Sequence, residues 1–218
     1  DEFFEARERR PYDCTEADAW VYTFHNHHDI PTLMSLMGGQ EAFLKKLDQF
    51  FTKPVSAVTG RSFSRTGMGA YVHANEPSHH IPYLYAVAGR PDKLADRVGL
   101  IRARYYDTTS RGVCGDEDHG AMSSWYIFTS LGFYPVDPCG GDYVLGAPHV
   151  RGLTLSLPQG KTFEMRTRGF SAKNRYVRRA LLNGKSLTGN VIRHADIVRG
   201  GTLVFEMTDS PFPKPGIE

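Results

Sequence analysis

The sequence predicts a mainly α-helical first part followed by a small antiparallel β region. Three observations carry that expectation. Before Gly132, apolar residues recur at steps of three and four, as in Phe43, Leu44, Leu47, Phe50 and Phe51, the spacing of one helix face. After Gly132 the period falls to two. Leu153, Leu155 and Leu157 alternate with Thr154 and Ser156, and Phe163, Met165 and Thr167 alternate again, as side chains do along a strand. Pro158-Gln159-Gly160-Lys161 and Asn183-Gly184 punctuate these runs in the manner of hairpin turns. The expected division is residues 1–141, helical, and 142–218, antiparallel β.

Composition narrows the class. The chain has 218 residues, 40% apolar and 23% charged, enough for one domain of moderate size or two small ones. A net charge of +2 gives no strong field for nucleic acid or an anionic membrane. Arg9-Arg10 and Arg178-Arg179 are too short to be binding tracts. No apolar run approaches the ~18 residues of a membrane span, so neither nucleic acid nor membrane is an expected partner. The chain opens with no leader pattern. Phe3 and Phe4 read as the tail of a helix that starts upstream, and the expectation is that this is the C-terminal part of something longer. Cys14, Cys114 and Cys139 are odd in number, and no CxxC is present. A zinc ribbon or redox motif is thereby disfavoured; one disulfide plus a thiol and three thiols both remain open.

The elements follow in order. Thr15 reads as an N-cap with Asp18 in the capping-box position, ahead of Trp20, Tyr22 and Phe24. Asn26-His27-His28-Asp29 is a polar cluster. Ile30 to Met37 is a short helix opening at Pro31 and stopping at Gly38-Gly39, and Gln40 to Phe51 is a second. Residues 55–74 read as irregular loop. Residues 75–89 read as one helix, with Pro77 in its first turn, Gly89 as C-cap, and Ile81, Leu84, Tyr85 and Ala88 inward. Pro91 to Tyr106 follows with Leu94, Val98, Ile101 and Tyr105 inward. Ala121 to Leu131 is an uncharged helix ended by Gly132. Leu203 to Met207 is a further strand, and Ser210 to Pro215 a frayed tail.

The chain is organised around GDEDHG, residues 115–120, where Asp116, Glu117 and Asp118 stand in a row before that uncharged helix. Acids at a helix mouth gain from the helix dipole, and loops on a rigid scaffold are where chemistry sits. Asn75 and Glu76 lie at a helix mouth in the same way. His79 and His80 are adjacent and point about 100° apart on a helix, which argues against a zincin-like pair. Asp116-x-Asp118 opens like an EF-hand but lacks the Gly and the closing Glu. What remains is an oxygen-rich set, Asn75, Glu76, Asp116 and Asp118, suited to a hard ion such as Ca²⁺. Paired carboxylates also suit general acid/base work, as in glycoside hydrolysis, and Trp20 and Trp125 suit a sugar site. Core packing is the ordinary role of each aromatic. The residues alone leave three readings open: a carboxylate enzyme, a calcium-binding or carbohydrate-binding module, and neither.

Two long motifs narrow the choice. ANEPSHHIPYLYAVAG and CGDEDHGAMSSWYIFTSLGFYPVDPCGGDYVLGAP resemble the C-terminal half of family-92 glycoside hydrolases, the calcium-dependent exo-acting α-mannosidases. TEADAWVYTFHNHHD, LMGGQEAFLKKLDQFF, LNGK and HADIVRGGTLVFEM follow that family in order. The resemblance implies that residues 1–141 are later helices of an (α/α)6 barrel. It also implies an upstream β-sandwich domain of the same parent chain, and inversion of anomeric configuration. The parent is expected to be secreted or held at the cell envelope, and its substrate a mannose-containing glycan with terminal α-linked, α-1,2 mannose.

Residue by residue, the resemblance makes Glu16 the general acid and Asp116 and Asp118 the water-holding carboxylates. Asn75, Glu76 and Asp118 become calcium ligands, and Trp20, His28, His79 and His80 sugar contacts. Ala17, Asp18 and Val21 depart from the family pattern TEGNAWQY, Ala74 replaces its Gly, and Asn26-His27-His28-Asp29 replaces VPHD. Inversion needs room for a water, so the acid and base carboxyls should stand ~6.5–9.5 Å apart. Glu16, Glu76, Asp116 and Asp118 are expected to converge on one concave site. A non-catalytic binding or structural module is the alternative.

Overall fold

The computed structural model describes residues 17–52 and 67–211. Expectations for Arg9-Arg10, Cys14, Thr15, Glu16, the loop part 55–66 and the tail 212–215 lie outside these residues. The chain forms two compact units. Of the described residues, one unit holds those up to Ile81 with Ile101–Ser123, the other Pro82–Leu100 with those from Ser124 to 211. They interleave along the chain, where the sequence reading expects a single cut after 141.

The first unit opens with helix α1, Ala19–Tyr22. Asp18 is its N-cap, accepting from the Trp20 and Val21 amides at 3.0 and 3.1 Å. That corrects the sequence reading, which put Asp18 at the third position of a capping box. Helix α2, Ile30–Leu36, is capped by Asp29, whose carboxylate accepts from Thr32 N at 3.1 Å, with Pro31 in its first turn. Helix α3 spans Gln40–Thr52 and buries Phe43, Leu47, Phe50 and Phe51. The Phe24 ring meets Phe43 and Phe50 edge-on at 5.7 and 5.4 Å. Burying each such side chain stabilises by about 1.5–3 kcal/mol. Within the stretch expected to be irregular, β1, Gly67–Met68, pairs with β2, Tyr71–Val72, and Ala70 N donates to Phe50 O at 2.8 Å.

Residues 75–89 are not one helix. Two 3₁₀ turns, Glu76–Ser78 and Ile81–Tyr83, precede a short helix α4, Leu84–Val87. Pro82 has no amide to bond the carbonyl four residues back, and each proline disfavours the α conformation of the residue before it. Helix α5, Pro91–Tyr105, buries Leu94, Val98, Ile101 and Tyr105, as its periodicity predicts. Helix α6 spans Ala121–Leu131. Met122, Trp125, Thr129 and Ser130 are buried, but Tyr126 and Ile127 are 37% and 57% exposed. Its lack of charge therefore does not mean burial on every side. Gly132, at φ +84°, ends it.

The second unit carries the two larger sheets. β3, Phe133–Tyr134, β4, Asp142–Leu145, and β9, Val191–Arg193, form an antiparallel sheet in the order β3-β4-β9. In this unit strand structure thus begins at Phe133, ahead of the expected boundary at 142. The larger sheet comprises β5, Gly152–Ser156; β6, Thr162–Arg168; β7, Tyr176–Leu182; β8, Lys185–Ser186; and β10, Gly201–Thr208. Its order is β5-β6-β10-β7-β8. Asn183 and Gly184 both have positive φ between β7 and β8, as the Asn-Gly hairpin signal requires.

One pairing departs from the expected antiparallel region: β10 lies parallel to β6, with Leu203 opposite Met165, and antiparallel to β7. The sheet is mixed. Parallel neighbours need a long connection, and the path from β6 to β10 runs through β7, β8, β9 and helix α7, His194–Arg199. As the central strand, β10 buries Leu203, Val204 and Phe205 in succession, which fits a strand covered on both faces. Its side chains pack with Phe133, Leu145, Phe163, Met165, Ala180 and Ile192. Between 150 and 182 the only helical piece is the 3₁₀ turn Pro158–Gly160. Among the described residues, no helix is long and apolar enough to cross a membrane.

Candidate active site

Three segments of the first unit meet: α1, the Glu76–Ser78 turn and the loop Cys114–Gly120. Helix α1 packs against the Glu76–Ser78 turn. The turn is tight, with Ser78 N donating to Asn75 O at 3.2 Å and His79 N to Glu76 O at 3.0 Å. The third segment arrives through Gly115. A Cβ placed on Gly115, at φ +77°, would stand 2.7 Å from the Ala74 carbonyl oxygen. Only a glycine allows both that conformation and that approach, and the approach sets Asp116 beside the Asn75–Glu76 loop.

The acid loop is conformationally unusual. Gly115, Glu117, His119 and Gly120 all have positive φ, with Glu117 at 58° and His119 at 53°. Non-glycine residues held there cost about 1–3 kcal/mol each and cluster at functional sites. Glu117 has a structural task. Its carboxylate accepts from Ser123 N at 3.1 and 3.2 Å, which satisfies an amide of the first turn of α6. Asp116 and Asp118, the two acids singled out from sequence, are exposed, and Asp118 opens a 3₁₀ turn to Gly120.

Behind the Asn75–Glu76 loop stands a buried set of imidazoles. His79 Nε2 donates to the His73 carbonyl at 3.0 Å. Burial lowers the His79 pKa to about 4, opposed in part by that bond and by the nearby Glu117 carboxylate. His80 Nε2 donates to Phe24 O at 2.8 Å, and the His27 ring lies 3.8 Å from its centroid. Burial, with His27 acting in the same direction, takes His80 to about 3. Both rings are therefore neutral at neutral pH. His25 is also pushed down, by burial and by His27, against its bond to the Pro77 carbonyl.

The other expected sugar contacts differ in setting. His28 is exposed. Trp20 is 5% exposed, with Lys46 Nζ 3.8 Å from its ring centroid, so its face is covered by an ammonium in a cation–π contact. Asn75 is buried, and its side chain makes no cap bond to the 3₁₀ turn that it precedes. Glu16 lies outside the described residues. Among the described residues, no three His, Cys, Asp or Glu side chains form a group able to hold a metal ion. The expected calcium set has two acids and an amide, all oxygen donors. Cys114 and Cys139 are free thiols, and burial with the Glu117 carboxylate raises Cys114 to about 11.

Sequence reasoning missed His73, Tyr71, Tyr106 and the capping role of Glu117. His73 carried no motif signal, being two residues ahead of Asn75 in a stretch read as loop.

With this geometry in place, the sequence profile of the glycosyl hydrolase family 92 catalytic domain matches residues 1–209. The chain belongs to glycosyl hydrolase family 92. A secreted glycosidase of uncharacterised activity from Arthroderma benhamiae is 35% identical over 192 residues, 86% of this chain and 23% of its own length. The family 92 α-mannosidase BT3965 of Bacteroides thetaiotaomicron, solved with mannoimidazole, is 34% identical. That match covers 94% of this chain and 27% of the other, with a TM-score of 0.87. The family 92 inverting mannosidase BT2199 of the same organism is 36% identical over 90% of this chain and 28% of the other, with a TM-score of 0.78. The family 92 chain described here thus spans about a quarter of the length of these relatives.

Proposed function

We propose that this family 92 chain forms part of the catalytic domain of an exo-acting, inverting α-mannosidase that removes terminal mannose, α-1,2-linked, from N-glycans or other mannosides. The observation that carries the reading is the match, along nearly the whole chain, to two bacterial mannosidases of the same family. The close approach of Gly115 to Ala74 supports it, because it sets the two longest motifs side by side.

Glu16 donates its proton to the leaving oxygen, and Asp116 with Asp118 holds and deprotonates the attacking water on the opposite face of the sugar. Exposure of both Asp residues leaves them open to water. His79, neutral and tied through Nε2, contacts the sugar with His80 and His28; Trp20 does so only once Lys46 has swung off its ring. Asn75, Glu76 and Asp118 are the chain's donors to calcium. Their oxygen chemistry fits a hard ion, but three side chains fall short of the six to eight oxygens that it takes. Asn75, Glu76 and Asp118 would hold the ion, which when bound would supply a hard Lewis acid for the vicinal hydroxyls of mannose.

The helical segments belong to an (α/α)6 barrel, and an upstream β-sandwich domain walls off the far side of the terminal sugar. The secreted relative supports a secreted or cell-envelope location. A closed barrel of that type has twelve helices, so the 218-residue chain by itself should not turn over substrate. The test compares the full parent polypeptide with the 218-residue chain on α-1,2-mannobiose and an aryl α-mannoside, with calcium and with chelator. The parent should release β-mannose first and lose activity on chelation, and the chain alone should be inactive. A parent that binds mannosides without hydrolysing either would instead be a carbohydrate-binding module. Equal kcat/KM for parent and chain would sink the partial-domain reading.

A further inference from the structure

We propose that His73 is a positioning residue for the mannosidase reaction: it locks the Asn75–Glu76–His79 loop to the start of the helix that follows the acid loop. The inference rests on the mannosidase reading, but its structural half can be measured without it.

Four contacts define the arrangement. The Tyr71 hydroxyl lies 2.6 Å from His73 Nδ1, and His73 Nε2 lies 2.7 Å from the Tyr106 hydroxyl. Tyr106 donates its own proton to the Met122 carbonyl at 3.0 Å. The His73 carbonyl receives His79 Nε2 at 3.0 Å. The protons then have one consistent placement. Tyr106 has a single hydroxyl proton, spent on Met122 O, so toward His73 it must accept. His73 therefore carries its proton on Nε2, and Nδ1 accepts from Tyr71. His73 is fully buried, at 0% exposure, where a lost hydrogen bond leaves an unpaired polar group.

The chain of bonds has a defined reach. Tyr71 belongs to the hairpin, Tyr106 follows helix α5, and Met122 lies in the first turn of α6, next to Ser123, whose amide is held by Glu117. His79 is held at the other end through the His73 main chain. One imidazole thus ties the loop bearing Asn75 and Glu76 to the end of the segment bearing Asp116 and Asp118. It touches no part of a substrate site itself and acts through its neighbours. Neither motif contains His73, so a search by motif passes over it.

The test uses the full parent polypeptide with His73→Leu, His73→Gln and Tyr71→Phe. Gln keeps a donor in the place of Nε2; Tyr71→Phe removes only the bond on the hairpin side. His73→Leu should lower kcat by about 10²-fold, the order set by ~1 Å of misplacement, with KM within about threefold. His73→Gln should restore about tenfold of that loss, and Tyr71→Phe should stay within about threefold of wild type. Amide hydrogen exchange should rise together at 74–80 and 114–123 in His73→Leu and stay unchanged at 152–168. A kcat within twofold of wild type, or losses in all three variants that merely follow their melting temperatures, would overturn the proposal. If the wild-type parent hydrolyses no mannoside, the mannosidase reading fails, and exchange alone decides. A rise at both segments supports the lock, and a rise at one or neither removes it.

Discussion

Gly115 and Ala74, forty-one positions apart, are in backbone contact: a Cβ on Gly115 would lie 2.7 Å from the Ala74 carbonyl oxygen and 3.1 Å from its Cα. Two loops with the chain's most distinctive polar residues are therefore neighbours because one of them has no side chain at the crossing point. Gly115→Ala should destabilise the chain by about 1–3 kcal/mol through the left-handed backbone alone, and by more through the overlap. Gly141, also at positive φ but with nothing within 4 Å of a Cβ, separates the two effects. Gly141→Ala carries only the strain. Urea denaturation of both variants is the measurement, and equal losses would mean that the Gly115–Ala74 approach is not tight.

Glu117 should behave as a cap rather than as a reacting acid. Glu117→Ala leaves Ser123 N without its acceptor and should cost about 0.5–2 kcal/mol, the range for a lost N-terminal cap. Glu117→Gln retains an acceptor oxygen and should cost less. Neither should abolish hydrolysis in the parent polypeptide. A loss of kcat as large as that of Asp116→Asn, without a matching loss of stability, would make Glu117 part of the chemistry.

Stability should fall with acidity in a defined window. His79 and His80 ordinarily titrate at 6.5 but are held at about 4 and about 3 in the folded chain. Below pH 6.5 the unfolded chain binds these protons and the folded chain does not, so the stabilisation present above 6.5 is lost as pH drops toward 4 and 3. The slope is about 1.4 kcal/mol per pH unit for each such histidine. His25 and His27 face His80, and Glu117 and His73 neighbour His79. His80→Gln, which can still donate to Phe24 O, should remove about one histidine's share of the slope. Thermal melts from pH 7.5 to 4.5 give the comparison, and an unchanged slope would show that His80 is protonated in the folded chain.

Activity should depend on the leaving group. If Glu16 is the acid, Glu16→Gln in the parent should lower kcat by about 10²–10⁴-fold on a disaccharide and far less on a dinitrophenyl α-mannoside, whose leaving group needs no proton. Asp118→Asn should affect both substrates alike. Equal loss on both for Glu16→Gln would remove it from the acid role.

The longer helices and the strands of the larger sheet were legible because they depend on local pattern. Apolar steps of three and four placed α3 and α5, and Leu94, Val98 and Ile101 are buried as that spacing requires. Period two placed β5 and β6, the apolar run Leu203 to Met207 placed β10, and Asn183-Gly184 placed a hairpin turn. The long motifs placed the chain in its family, since 34–36% identity runs along nearly all of it.

The tertiary structure decided what depends on partners distant in sequence. The direction of β10 beside β6 is invisible to periodicity, because a strand buries the same side chains in parallel or antiparallel pairing. The break in residues 75–89 turned on two prolines that a helical stripe with Ile81, Leu84 and Tyr85 outweighed on paper. Glu117 and its neighbours Asp116 and Asp118 look alike in sequence; only the path of the loop sends the middle acid to Ser123 and leaves the outer two exposed. His73 has no signature at all, since its role consists of bonds to Tyr71 and Tyr106, the latter 33 residues away. Sequence records which groups a chain has, and the pairing of buried donors with acceptors is settled only when the fold brings them within 3 Å.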